Sequence, residues 1–297
     1  MTVTFRSKHA IGKVAEIWRF PVSSLGGERC KCAEIEPGGI VGDRRFALFD
    51  SVSGLAAAPE KDVRWRPALF LRSAIDDGGV RITFPTGCNF YIEDPQLGLE
   101  LSKYFGFDVG IGSYIDADPL APSLPTVENR YSRSALHLVT TSSLAELQQM
   151  LSDSTVDRLR FRPNILLETS NVTGFAEFQW IGKVISFGLA EVEVTDLTKR
   201  CGMILAAQPD LPEQPEILRT VLRKAGRAFG VYCEPVKIGN IESGPARRVD
   251  FRLVIPKVDF QGLKAGRKPY KLCGILRHFF SSVARHWLLV IPPSMAS

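Results

Sequence analysis

Apolar and polar positions alternate in short runs through the first third of the chain. Residues 12–20 (GKVAEIWRF), 28–36, 43–50 and 80–92 are rich in β-branched and aromatic residues, and glycine and proline clusters break them at 25–27 (LGG), 36–39 (EPGG) and 76–79 (DDGG). Short strands punctuated in this way predict a small β-barrel or sandwich. A helix is predicted over 95–106 (PQLGLELSKYFG), opened by a proline and closed by Gly106. Residues 116–130 contain Pro119, Pro122 and Pro125 and are expected to form an interdomain linker.

A second unit begins near Ser134. ALHLVTT (135–141) predicts a strand, and SSLAELQQML (142–151) has apolar residues at helical spacing, with Ser142 or Ser143 as its N-cap. FRPNILLE (161–168) and residues 184–196 return to strand. PEILRTVLRKAGRAF (215–229) predicts a helix with proline at its start, and FGVYCEPVKIG (229–239) a further strand. Helices are interspersed without a βαβαβ rhythm. The pattern therefore predicts a mainly β, α+β chain with a barrel core and peripheral helices, not a doubly wound sheet.

Length and composition bound this picture. The 297 residues suffice for about two domains at roughly 100–200 residues each. With 45% hydrophobic and 23% charged residues, the chain can bury a full core. Its most apolar run, WLLVIPP (287–293), is far shorter than the ~20 residues of a membrane span, so none is expected. The opening residues, MTVTFRSKHAIGK, lack an apolar signal region. Six scattered cysteines without a CxxC pair fit a reducing compartment, and a cytoplasmic location is expected. No Cys/His cluster has zinc or iron–sulfur spacing.

The net charge of +5 is concentrated at one end. Residues 257–297 hold seven Lys or Arg and one Asp, which leaves the first 256 residues close to neutral. Basic residues are not interleaved with aromatics in a nucleic-acid-binding pattern, so no nucleic-acid partner is expected.

Candidate chemistry centres on Cys201 in VTDLTKRCGMIL (194–205). It follows two cations, Lys199 and Arg200. Positive charge beside a thiol favours the thiolate, the form that ligates soft metals. A lone cysteine is more commonly a small buried hydrophobe, and its setting decides between the two.

Six segments, in order, set that context: EIWRFPVSSLGGE (16–28), IEPGGIVGDRRFALFD (35–50), FRPNILLE (161–168), FAEFQWIGKVISFG (175–188), TKRCGM (198–203) and FGVYCEPVKIGNIESG (229–244). Together they resemble the MOSC superfamily with its N-terminal β-barrel, similar to the C-terminal domain of molybdenum cofactor sulfurase and to the mitochondrial amidoxime-reducing component. The resemblance implies an N-terminal MOSC β-barrel domain over 10–120, a MOSC domain over 131–254 and a basic extension over 255–297. It also implies a molybdenum cofactor (Mo-molybdopterin) whose metal is ligated by Cys201. The pterin phosphate and ring would then be held by Ser23, Ser24, Arg44, Arg45, Ser134, Arg162, Lys199, Arg200 and Tyr232. Relatives often carry a lysine where this chain has Ser23. His137 and Trp180 are expected to be core residues, and Asn164 to bond backbone.

Two functions follow from the resemblance. One is an oxidoreductase that reduces small N-oxygenated compounds with electrons from a separate electron-transfer protein, since no dinucleotide fingerprint or ferredoxin cysteine set is present. The other is a cofactor carrier or sulfur-transfer module. A third possibility is a member that keeps the fold without the cofactor. Pyridoxal phosphate, used by the larger sulfurases, is not expected, because the chain has no desulfurase-like half.

Overall fold

Strand Ala190–Lys199 shows how alternation builds the structure. Ala190, Val192 and Val194 face inward, while Glu191 and Glu193 face out. Register shifts at Val194/Asp196 and Leu197/Lys199 expose Asp196 between them and then restore the phase, so that Thr198 is buried and Lys199 exposed. The computed structural model describes residues 9–129, 134–151, 153–170, 172–244 and 248–252. The basic extension expected over 255–297 lies outside them.

Seven of the described strands close into a barrel. Their order is Ile165–Thr169, Leu136–Thr140, Ala228–Lys237, Ala190–Lys199, Val184–Phe187, Arg248–Arg252 and His9–Arg19, and the last pairs back onto the first. All neighbours are antiparallel except Leu136–Thr140 and Ile165–Thr169. The chain's first strand thus closes a barrel whose other strands come after residue 135. The segment that follows it adds Cys32–Glu36 and Gly39–Ile40, which pair with each other, and Cys32–Glu36 also pairs with Gly239–Glu242. Their Ile35 and Ile40 join Val14, Ile17, Leu138, Val192 and Val231 in one core.

Between this opening and Ser134 the chain builds a second core. Val22, Leu25, Phe46, Trp65, Ile82 and Leu101 pack together, framed by two small sheets. One joins Val109–Ser113, Phe46–Asp50 and Val22–Ser23; the other joins Arg72–Asp76, Gly79–Thr83 and Asn89–Tyr91. The N-terminal unit is therefore inserted between the first and second strands of the larger barrel. Residues 10–40, expected to open the first domain, give their main strand and hairpin to the second.

Local expectations are met unevenly. The first helix spans Leu97–Phe105 and ends at Gly106, whose φ of 78° is left-handed and whose amide returns to Ser102. The next spans Thr141–Gln149, but its cap is Thr140, not Ser142 or Ser143. The strand runs straight into the helix, and the extended Thr140 accepts from the Ser143 amide. The third covers only Pro215–Lys224 of the expected 215–229, because Gly226 and Arg227 turn left-handed to enter the strand at Ala228. Residues 116–129 are not a loose linker. Asp118 and Ala121 are buried, and Ser113 exchanges backbone bonds with Pro125 and Val127. Three prolines remove amide donors that such a packed strap would have to satisfy. Among the described residues, no helix is long and apolar enough to cross a membrane.

One close approach joins hairpin and barrel. Gly39 has φ of 107°, and a Cβ there would lie 2.0 Å from the Ala135 carbonyl oxygen. Its neighbour Gly38 has nothing within 4 Å. Gly39→Val should therefore destabilise the protein by about 2 kcal/mol or more, whereas Gly38→Val should stay within about 0.5 kcal/mol of wild type in urea unfolding. Equal effects would show that the hairpin does not press on the barrel.

Candidate functional site

Three backbone turns deliver side chains to one cavity. Ser24, Arg44 and Arg162 are non-glycine residues with left-handed φ, at 69°, 48° and 53°. Such residues carry about 1–3 kcal/mol of strain each, and they persist where surrounding bonds hold them. Here those bonds are identifiable. The Arg44 amide donates to the Phe20 carbonyl, and the Arg162 amide is shared between the Arg158 and Leu159 carbonyls. All three residues line a cavity of about 270 Å³ together with Ser23, Ser134, Arg200 and Tyr232. Seven residues expected from the sequence thus meet in one place.

The cavity concentrates positive charge. Arg44 pairs with buried Asp43 and also donates to the Arg162 carbonyl (2.9 Å) and Asn164 Oδ1 (3.1 Å). Arg162 and Arg44 place their guanidinium carbons 4.3 and 4.9 Å from the Phe20 ring centroid, within cation–π range. Arg200 donates to the Phe161 carbonyl at 2.9 Å. Burial, then the neighbouring Arg44 guanidinium, push Arg162 down to about 9, which leaves it charged at neutral pH. Burial lowers Arg200 as well. Arg162 Nη2 and Arg200 Nε are buried without a hydrogen-bond partner. Like charges held this close, with donors left over, have the chemistry to accept a multiply charged anion.

Cys201 is exposed, and its two near neighbours Arg200 and Met203 line the cavity. It precedes the short helical turn Gly202–Leu205 in an extended conformation. Among the described residues, no group of three or more His, Cys, Asp or Glu side chains could hold a metal ion. A metal ligated by Cys201 would have to bring most of its other ligands with it.

Arg45 and Lys199 do not line the cavity. Arg44 occupies a turn rather than a strand, so Arg45 leaves in another direction and pairs with buried Asp118 at 2.8 Å. Lys199 occupies an outward-facing position of its strand, in phase with Glu191 and Glu193. Asn164, expected to bond backbone, does so. Its Oδ1 accepts from the His137 amide (3.1 Å) and its Nδ2 donates to the Trp18 carbonyl (3.2 Å). It also accepts from Arg44, so one side chain ties two barrel strands to the cation. Trp180 is a core residue. His137 is buried but also lines the cavity, a role that its apolar strand gave no sign of.

Comparison with known proteins follows this geometry. Residues 11–102 match the family model of the MOSC N-terminal beta barrel domain, and residues 122–246 that of the MOSC domain. Among solved structures, the chain is similar to the YUAD protein from Bacillus subtilis, with 10% identity, 84% of this chain and 99% of that chain covered and a TM-score of 0.45. It is also similar to YiiM from Geobacillus stearothermophilus, with 20% identity, 42% and 57% coverage and a TM-score of 0.30. No curated protein matches.

His137 makes the site sensitive to acid. Burial, then Arg200 and Arg44, hold its pKa well below the ordinary histidine value. The unfolded chain therefore binds a proton more readily than the folded one. The resulting stability is complete above about pH 6.5 and is lost as pH falls, at up to about 1.4 kcal/mol per pH unit. Urea unfolding between pH 7 and 5 should show this slope in wild type and a shallower one in His137→Gln. Identical slopes would remove His137 from the account.

Proposed function

Because the chain belongs to the MOSC family, with that family's N-terminal β-barrel domain ahead of the MOSC domain, we propose that its cavity binds a molybdenum cofactor and that Cys201 ligates the metal. MOSC domains are associated with this cofactor. The observation that carries the reading for this chain is the convergence of Arg44, Arg162 and Arg200 with buried, unpartnered guanidinium nitrogens. A phosphate-bearing pterin fits that donor set, because a phosphate accepts forked hydrogen bonds from arginine. The three arginines supply the cationic charge where relatives often add a lysine at the Ser23 position.

The residues divide the work. Arg44, Arg162 and Arg200 bind the phosphate, helped by the hydroxyls of Ser23, Ser24 and Ser134. Asn164 fixes Arg44, and Tyr232 bounds the cavity beside His137, at 5.9 Å between ring centroids. Cys201 offers its sulfur at an exposed position next to the cavity. Bound there, the cofactor would supply the redox chemistry that the side chains lack.

The finer reading is an oxidoreductase acting on small N-hydroxylated compounds. Reduction of an N-hydroxyl group to the amine takes up two electrons and two protons and releases water. The electrons would come from a separate electron-transfer protein. Exposure of Cys201 supports turnover over storage, since a centre ligated there is open to a small substrate. A carrier role predicts the same cofactor content without reduction.

Protein purified from a cofactor-competent host should contain molybdenum and pterin. Cys201→Ser should lower molybdenum per chain about tenfold or more without changing the melting temperature. Arg162→Gln should lower pterin as well. Loaded wild type, supplied with a chemical reductant, should reduce an N-hydroxylated model compound. Equal molybdenum in wild type and Cys201→Ser would refute the ligand assignment, and a loaded but inactive protein would leave the carrier reading.

A further inference from the structure

We infer that a second cavity, on the other side of the Phe20–Arg162 contact, is a binding site for a small aromatic carboxylate. This site goes beyond the cofactor reading and does not depend on it. The cavity measures about 260 Å³. That is room for several waters at about 30 Å³ each, or for one six-membered ring with a carboxyl group. Its apolar walls include Trp18, Phe20, Leu69 and Leu211. The rings of Trp18 and Phe20 are near parallel, 21° apart with centroids separated by 6.3 Å. A planar apolar ligand suits such walls.

One buried donor calls for an acceptor. Gln208 is 9% exposed, and its Nε2 is buried with no hydrogen-bond partner. Arg162, which lines both cavities, contributes its positive charge here. Arg72, exposed and without an ion pair among the described residues, adds a second cation. Two acids also border the space. Asp157 is engaged, accepting from the Leu159 amide at 2.7 Å and pairing with Arg158 at 3.2 Å. Asp210 is exposed in the adjoining turn. The buried Gln208 donor thus calls for an acceptor, and the two cations favour an anionic one.

Gln208 is held rigidly while its amide goes unused. Its backbone amide donates to the Leu211 carbonyl at 2.8 Å, and the Leu211 amide returns to Gln208 at 2.9 Å. Asp210 turns left-handed between them, with φ of 61°. The fully buried Arg160 clamps the segment on both sides, donating to the Ala206 carbonyl at 3.2 Å and the Pro212 carbonyl at 2.6 Å. A backbone this constrained, carrying a buried donor with no acceptor, is organised in advance for a ligand oxygen.

Benzoate is the probe, titrated by calorimetry into the full-length protein. One saturable site per chain is expected. Gln208→Leu should weaken binding about tenfold or more and raise the melting temperature, because it removes an unpaired buried donor. Gln208→Glu should also abolish binding by placing a like charge against the carboxylate. Met203→Trp, which narrows the first cavity only, should leave the affinity unchanged. The proposal is overturned by absence of saturable binding at millimolar benzoate, by unchanged affinity in the Gln208 variants, or by loss of binding in Met203→Trp, which would put benzoate in the first cavity.

Discussion

Mutual repulsion among Arg44, Arg162 and Arg200 is the constraint that the rest of the structure answers. Buried guanidiniums are costly unless each finds acceptors, and a cluster of them adds like-charge energy. The protein meets the first cost with one carboxylate, Asp43, with backbone carbonyls at Phe161 and Arg162, and with Asn164. The Phe20 ring face lies against two of the cations. The second cost is left standing, together with unused donors. An anion of the right shape would relieve both, so the site is tuned to an incoming charge and not to the protein's own stability.

Topology makes this concentration possible. The larger barrel opens with His9–Arg19, breaks off for the inserted unit, and resumes at Leu136. Residues just after the first strand and just before the second are thereby brought together. Ser23, Ser24 and Arg44 come from the start of the excursion, Ser134 from its return, Arg162 and Arg200 from barrel connections, and Tyr232 from within strand Ala228–Lys237. A rigid closed sheet holds the bases of these loops, while the loops carry the chemistry.

Much of this was legible in the sequence because turn residues and charged motifs have local causes. Proline before the first helix and Gly106 after it mark that element nearly to the residue. The arginines at 44, 162 and 200 each sit in a recognisable motif, and all three reach the cavity. What escaped was set by partners distant in sequence. Lys199 and Arg200 differ in fate because Lys199 holds an outward position at the strand end, while Arg200 leaves the strand and donates to the distant Phe161 carbonyl. Arg45 was captured by Asp118, which lies in a segment whose prolines resembled a linker. His137 looked like core from its apolar neighbours and is core, but it also borders the cavity. The first strand's membership in the later barrel was invisible for the same reason, since its partners lie more than a hundred residues away.

That last pairing has a consequence for how the molecule comes into being. A strand synthesised ahead of its barrel partners must wait for Arg248–Arg252 before its edge at His9–Lys13 is covered. Its contacts are of high order, and loop closure over such distances slows folding. During synthesis the inserted unit can assemble around its own core while the large barrel is still open. The arginine cluster is consequently among the last features to form. Its repulsive charges meet only once the surrounding sheet is complete enough to hold them, and any anion recruited there enters a nearly finished protein.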